Sequence, residues 1–186
     1  RILLRSAGLD HVRVEQASGR LGDHYDPGKN ILRLSKGVAQ NPSVASLGIV
    51  AHEVGHAMQD ARGFTPLRVR SGLVPMVRIG SWLGPLIFFA GFFLSGLTGS
   101  TIVAWLGLFL FGGTLIFALI TLPVEFNASK RAQQLLRTYQ LADGQELQET
   151  KKVLDAAALT YVASLAQALS TMLYYVFLLT GFSRRD

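Results

Sequence analysis

His52-Glu53-Val54-Gly55-His56 combines residue types and spacing that can activate water on a metal ion. Two histidines four apart project from one face of a helix, so both imidazoles can bind the same divalent ion. Glu53 is turned by about 100° from His52 on such a helix. It can therefore lie beside the metal without ligating it, where a carboxylate can take a proton from a water that the metal acidifies. Ile49, Val50 and Ala51 precede the motif and Ala57 and Met58 follow it. Flanks of this kind belong to a buried helix. A chance pair of core histidines would not bring with it apolar flanks, a candidate third ligand and a membrane context.

A catalytic zinc site needs three protein ligands and one open position. The longer pattern HExxHxxGxxH fails, because Gln59 stands in place of its glycine and Arg62 in place of its third histidine. Glu125 is the best third ligand. It is the first charged residue after a long apolar stretch and lies in Pro123-Val124-Glu125-Phe126-Asn127-Ala128-Ser129. Its bland alternative is to complement a helix dipole. His24 competes for the same role. Asp23-His24-Tyr25-Asp26 is polar for a strand beside a turn, so His24 or Tyr25 could instead face an oxyanion or the substrate. A solvent-facing hairpin tip is the alternative there. Arg131 could serve the oxyanion or orient Glu125, or it could contact lipid headgroups. Asn127 and Ser129 are candidate hydrogen-bond partners for the ligands. Asp60, four residues after His56, is a candidate N–H acceptor for a ligand imidazole, or an exposed helix charge. Two imidazoles and a carboxylate suit Zn²⁺.

These residues must be positioned by a chain that is mostly helical and membrane-embedded. It has 186 residues, 49% hydrophobic and 16% charged, and a mean hydropathy of +0.33. A soluble domain is nearer about 25% charged. No Asp, Glu, Lys, Arg or His occurs from Ile79 to Val124, nor from Ala156 to Ser183. The net charge of +6 comes with basic residues flanking the apolar runs, as expected of helix ends held against a lipid bilayer. No basic-aromatic array supports a nucleic-acid partner. The chain has no cysteine, which excludes disulfides, thiolate ligands and cysteine catalysis.

Four regions are expected. Residues 1–78 form a soluble part: a short helix near Ile2 to Leu4 stopped by Gly8, and a strand at Val12 to Glu15. A β-hairpin follows, pairing Leu21 to Tyr25 with Ile31 to Leu34 across Asp26-Pro27-Gly28-Lys29-Asn30, and then the motif helix. That helix starts with Asn41 as N-cap and Pro42 at its first position, runs to about Arg62 and stops at Gly63. Residues 79–123 form a transmembrane helical hairpin. Its crossings at Ile79 to Ser95 and Ile102 to Leu122 are separated by Gly96-Leu97-Thr98-Gly99-Ser100. Trp82 and Trp105 are candidate interfacial anchors, although Trp105 could pack between helices. Gly107, Gly112 and Gly113 would permit close helix approach, and Pro123 ends the second crossing. Residues 124–155 form a helical segment with the third ligand and a break near Asp143-Gly144. Residues 156–183 form a C-terminal membrane helix. Its Ser164, Gln167, Ser170 and Thr171 would also suit a segment that enters only partly.

A hairpin returns Glu125 to the side on which His52 and His56 lie. Arg68, Arg70, Arg78, Lys130 and Arg131 flank that side, and the loop on the other side has no charge. The positive-inside rule then places the site at the cytoplasmic face. Arg184 and Arg185 oppose this if the last segment spans fully.

Four segments together resemble the YugP-type neutral zinc peptidases of bacterial membranes. They are Ala51-His52-Glu53-Val54-Gly55-His56-Ala57-Met58-Gln59, Asp23-His24-Tyr25-Asp26-Pro27, Leu122-Pro123-Val124-Glu125-Phe126-Asn127-Ala128-Ser129 and Ala156-Ala157-Ala158-Leu159-Thr160-Tyr161-Val162. The resemblance covers nearly the whole chain. It implies a gluzincin-like site of His52, His56 and Glu125, a zincin-like soluble part, a bacterial cytoplasmic-membrane location and a membrane helix ahead of Arg1. The expected function is a multi-pass, membrane-bound zinc endopeptidase acting on peptide or protein substrates, with Glu53 as general base. Substrate could lie along the Leu21–Leu34 hairpin by strand addition. Two alternatives come from other classes. A non-catalytic membrane scaffold could use a closed structural metal site with His24 as fourth ligand, but such a site has no use for Glu53. A transporter would need charged residues within its crossings, which are absent. The residues do not define an oligomeric state.

Overall fold

Among the described residues, nine elements follow one another along the chain. They are α1 (Ile2–Ser6), β1 (Arg13–Gln16), β2 (His24–Asp26), β3 (Ile31–Leu34), α2 (Lys36–Gln40), α3 (Val44–Ala61), α4 (Thr65–Thr98), α5 (Ile102–Thr138) and α6 (Gly144–Phe182). The structure, a computed structural model, describes residues 1–19 and 22–182. Leu21, where the hairpin was expected to begin, and Ser183, Arg184 and Arg185 lie outside the described residues. The fold is mainly helical with one small sheet, as the sequence predicts.

The sheet has the order β1-β3-β2, so β3 is central and β2 is an edge. β2 and β3 form the expected antiparallel hairpin, with Tyr25 opposite Leu32. Asn30 turns it with a φ of 54°, the left-handed conformation that asparagine tolerates best after glycine. β1 pairs with β3 in parallel, Val14 opposite Leu32.

Contacts divide the chain into two units, and the division runs through the three long helices. The first unit comprises Arg1–Arg68 and Pro123–Thr160. Its core joins Leu3, Leu4, Leu9 and Val12 to Tyr25, Leu32 and Leu34 of the sheet. Ala51, Val54 and Ala57 of α3 and Ala132, Leu135, Leu136 and Leu154 complete it. α3 is built from the apolar period that the motif interrupts. Its start differs from the expectation at Asn41-Pro42. Ser43 is the N-cap, and its hydroxyl oxygen accepts from the Ser46 N–H at 3.1 Å. Asn41 instead caps the C-terminal end of α2, a short helix the sequence did not announce. The C-terminus of α3 is as expected. Gly63 has φ 65°, its N–H bonds the Asp60 carbonyl, and the Phe64 N–H bonds the Gln59 carbonyl. This Schellman arrangement needs a residue that accepts positive φ.

The second unit comprises Val69–Leu122 and the chain from Tyr161 onward. Phe88, Ala104, Leu108, Phe111, Tyr175 and Leu179 form its core, with the Phe88 and Tyr175 rings stacked at 4.1 Å. Gly107 leaves no room for a Cβ against the Phe88 backbone, and Gly84 and Gly91 meet Phe111 and Ala104 in the same way. Gly112 and Gly113 make no such approach. Trp82, Phe109 and Leu97 are exposed. α4, α5 and α6 are each long and apolar enough to cross a membrane, and such exposed apolar side chains then meet hydrocarbon rather than water. The helix of the expected second crossing does not stop at Pro123. α5 continues to Thr138 with Pro123 inside it, since one proline removes a single N–H bond and its φ is helical.

Candidate metal centre

α3 presents His52 and His56 on one face, with ring centroids 4.8 Å apart and planes nearly perpendicular. α5 brings Glu125 to them. Its Oε2 lies 3.1 Å from His52 Nε2 and 3.5 Å from His56 Nε2, and the residue is 2% exposed. All three donor atoms fall within 4.8 Å of one another. Tetrahedral zinc with bonds of about 2.0–2.1 Å separates its ligand atoms by about 3.3–3.4 Å. The donor set and spacing are consistent with a zinc site.

The close approach of the two helices has a local cause. At Gly55 a Cβ would overlap the Ala128 carbonyl, and Ala128 and Ala132 are fully buried. Small residues on both surfaces let the backbones meet and leave the gap that the imidazoles and the carboxylate fill. Ser129 then reaches His52, whose Nδ1 lies 3.1 Å from the hydroxyl.

His56 has a different partner. Its Nδ1 is 2.9 Å from Gln59 Oε1. Gln59 is fully buried and donates Nε2–H to the Val124 carbonyl at 2.8 Å and to Asn127 Oδ1 at 3.0 Å. Arg131 Nε donates to the same Asn127 oxygen at 2.7 Å. Burial pushes the His56 pKa down. The hydrogen bond with Glu125, the charges of Glu53 and Glu125 and the bond with Gln59 more than offset this, leaving it above the ordinary value. Burial lowers the Arg131 pKa, and the neighbouring charge of Arg62 adds to it.

Glu53 lies on the other side of α3 from Gly55 and is buried. Its Oε2 accepts the backbone N–H of Tyr25 at 2.9 Å. The edge strand thus orients the carboxylate through a main-chain donor. The Tyr25 hydroxyl lies 2.9 Å from Asp60 Oδ2 and 3.0 Å from Asn30 Oδ1. One proton cannot serve both. The charged acceptor takes it, and the Asn30 amide, turned about, donates to the phenol oxygen. Burial raises the Tyr25 pKa well above 10.0, and the bond to Asp60 and the charges of Asp60 and Asp26 raise it further.

Asp60, expected beside an imidazole, therefore faces Tyr25. His24 is exposed, with Nδ1 2.7 Å from the Gly22 carbonyl and Nε2 3.3 Å from Arg33 Nη1. It does not join the ligand group formed by the described residues. Asn127 lies behind Gln59 rather than against a ligand, and Arg131 bonds Asn127. Gln59 and the Tyr25 N–H were not singled out from sequence. A signal existed for the first, since position 59 follows His56 by three and shares its helix face. A main-chain donor leaves no such signal.

The profile of the family described as "Putative neutral zinc metallopeptidase" matches residues 1–180. The chain is 41% identical over 176 residues to "Putative membrane protease YugP" of Bacillus subtilis (strain 168), covering 95% of this chain and 76% of that protein. No solved structure matches it.

Proposed function

From the premise that the chain belongs to the neutral zinc metallopeptidase family, and is thereby a hydrolase, we propose that it is a membrane-bound endopeptidase with Glu53 as general base. The observation that supports this most is the convergence of His52, His56 and Glu125, with an oriented, non-ligating carboxylate one residue away from His52.

His52, His56 and Glu125 would hold the zinc ion. Bound there, zinc would acidify a water toward neutrality and polarise the scissile carbonyl. Glu53 takes the proton that water loses as its oxygen bonds the carbonyl carbon. It then delivers that proton to the amine nitrogen as the C–N bond breaks. The Tyr25 N–H fixes which carboxylate oxygen faces the strand, so the other lone pairs are free to work on water. His24 and Arg131 are proposed substrate or oxyanion contacts, whereas Tyr25, expected in the same role, gives its N–H to Glu53 and its hydroxyl proton to Asp60. His24 has the best access, because it is exposed on the edge strand. Sequence-tolerant binding of an extended peptide along the β2–β3 hairpin would rely on main-chain pairing. The charge distribution around the crossings supports a site at the cytoplasmic face of a bacterial membrane.

The test is cleavage of an unfolded protein by the detergent-purified chain, with zinc content measured alongside. Activity abolished by a chelator and restored by stoichiometric zinc is expected. Persistent cleavage at zero zinc would overturn the reading, and zinc without cleavage of any unfolded protein would favour the scaffold.

A further inference from the structure

The two imidazoles are held in different ways, and the difference points to a residue the motif does not contain. A serine hydroxyl can donate or accept, so Ser129 does not dictate which nitrogen of His52 bears hydrogen. Gln59 has no such freedom. The Val124 carbonyl can only accept, so the atom 2.8 Å from it must be the Gln59 amide nitrogen. Asn127 Oδ1 is fixed as an acceptor by Arg131 Nε, a permanent donor, at 2.7 Å. It accepts from the same Gln59 nitrogen at 3.0 Å. Gln59 Oε1 is then the atom that faces His56, and it can only accept. His56 must bear its hydrogen on Nδ1. Its other nitrogen, Nε2, is the one 3.5 Å from Glu125.

We propose that Gln59 is a positioning residue for the metal: it fixes His56 as the Nδ1–H tautomer, with the Nε2 lone pair directed at the ion. This deepens, and rests on, the zinc peptidase reading. The side chain also ties the histidine to the turn of α5 that carries Glu125. A partner of this kind, hydrogen-bonded to the remote nitrogen of a ligating imidazole, is commonly worth about 10- to 100-fold in metal affinity.

The experiment measures the zinc dissociation constant of the full detergent-purified chain by chelator competition in wild type, Gln59→Leu and Gln59→Glu. Thermal melting in excess chelator is recorded for each. Leucine keeps the volume but offers no acceptor. Glutamate keeps an acceptor oxygen toward His56 and surrenders the amide donor toward Val124 and Asn127. The expected result is zinc binding weakened at least about 10-fold in Gln59→Leu and held within about threefold of wild type in Gln59→Glu. Equal weakening in both variants would make Gln59 a packing strut and overturn the proposal. So would an unchanged constant in Gln59→Leu. If Gln59→Leu does not fold, Gln59→Glu decides alone, and loss of binding in a folded Gln59→Glu refutes the acceptor role. A wild type that binds no zinc would defeat the peptidase reading itself, a result distinct from any of these.

Discussion

Gly55 and Ala128 pack with no space between them for a single methyl group. This contact sets the distance between α3 and α5, and so the distance from His52 and His56 to Glu125. Adding a methyl against backbone, which cannot swing aside, forces the helices apart at about 1–3 kcal/mol. Gly55→Ala should therefore lower the melting temperature and weaken zinc binding together. An unchanged zinc constant in that variant would show that the helix spacing is not what positions the ligands.

Glu125→Ala should leave the two imidazoles in place and remove the carboxylate that bridges them. The expected outcome is a substoichiometric zinc content after dialysis, where wild type retains one ion. Full occupancy would move the third ligand elsewhere, and the double variant with His24→Ala would then test the remaining histidine on the hairpin.

Tyr25 supplies a pH prediction. Its pKa is raised in the fold, chiefly by burial and then by the bond to Asp60, so the folded state favours the neutral phenol. An acid with a raised folded pKa contributes stability that is complete below its unfolded value, about 10, and is lost as pH climbs toward the folded one. Tyr25→Phe should thus cost about 1–2 kcal/mol at neutral pH, through the lost hydrogen bond. The deficit should shrink above about pH 10, where only wild type pays for keeping the phenol protonated. Melting curves at several alkaline pH values measure it, and a deficit that widens with pH would contradict the assignment.

The absence of cysteine makes the topology directly measurable. Ser100→Cys sits between α4 and α5, and Lys130→Cys lies in α5 just beyond Glu125. A membrane-impermeant maleimide added to intact cells should label the first, and the second only after permeabilisation. The reverse pattern would place the site on the outer face.

The motif was legible because it lies within one helix. Helical period alone puts His52 and His56 together, and Glu125 stands out as the first charge after the apolar stretch that ends at Val124. The apolar parts of the three long helices were legible from the same charge pattern, but not that α4 begins at Thr65, that α5 runs on to Thr138 or that α6 begins at Gly144. What escaped were contacts between segments distant in sequence. Gln59 was noticed as a departure from a longer motif, yet its partners are a main-chain carbonyl at 124 and a side chain at 127. Glu53 is oriented by an N–H that every residue but proline owns. Asp60 has the right spacing for His56 but is drawn to a buried phenol. Pro123 reads as a stop, although α5 absorbs it. Period and charge are local properties. The direction of a hydrogen bond across two helices is not.

Glu53 is expected to move protons and not to hold the metal. Wild type and Glu53→Gln should be purified identically in detergent, assayed for zinc content, and given the same unfolded protein to cleave. Glutamine keeps the shape and can still accept the Tyr25 N–H, but it cannot take a proton from water. One zinc is expected in both, with cleavage reduced by about 10²–10⁴-fold in the variant. Equal cleavage in the two proteins would contradict it, and loss of zinc from the variant would make Glu53 a ligand instead.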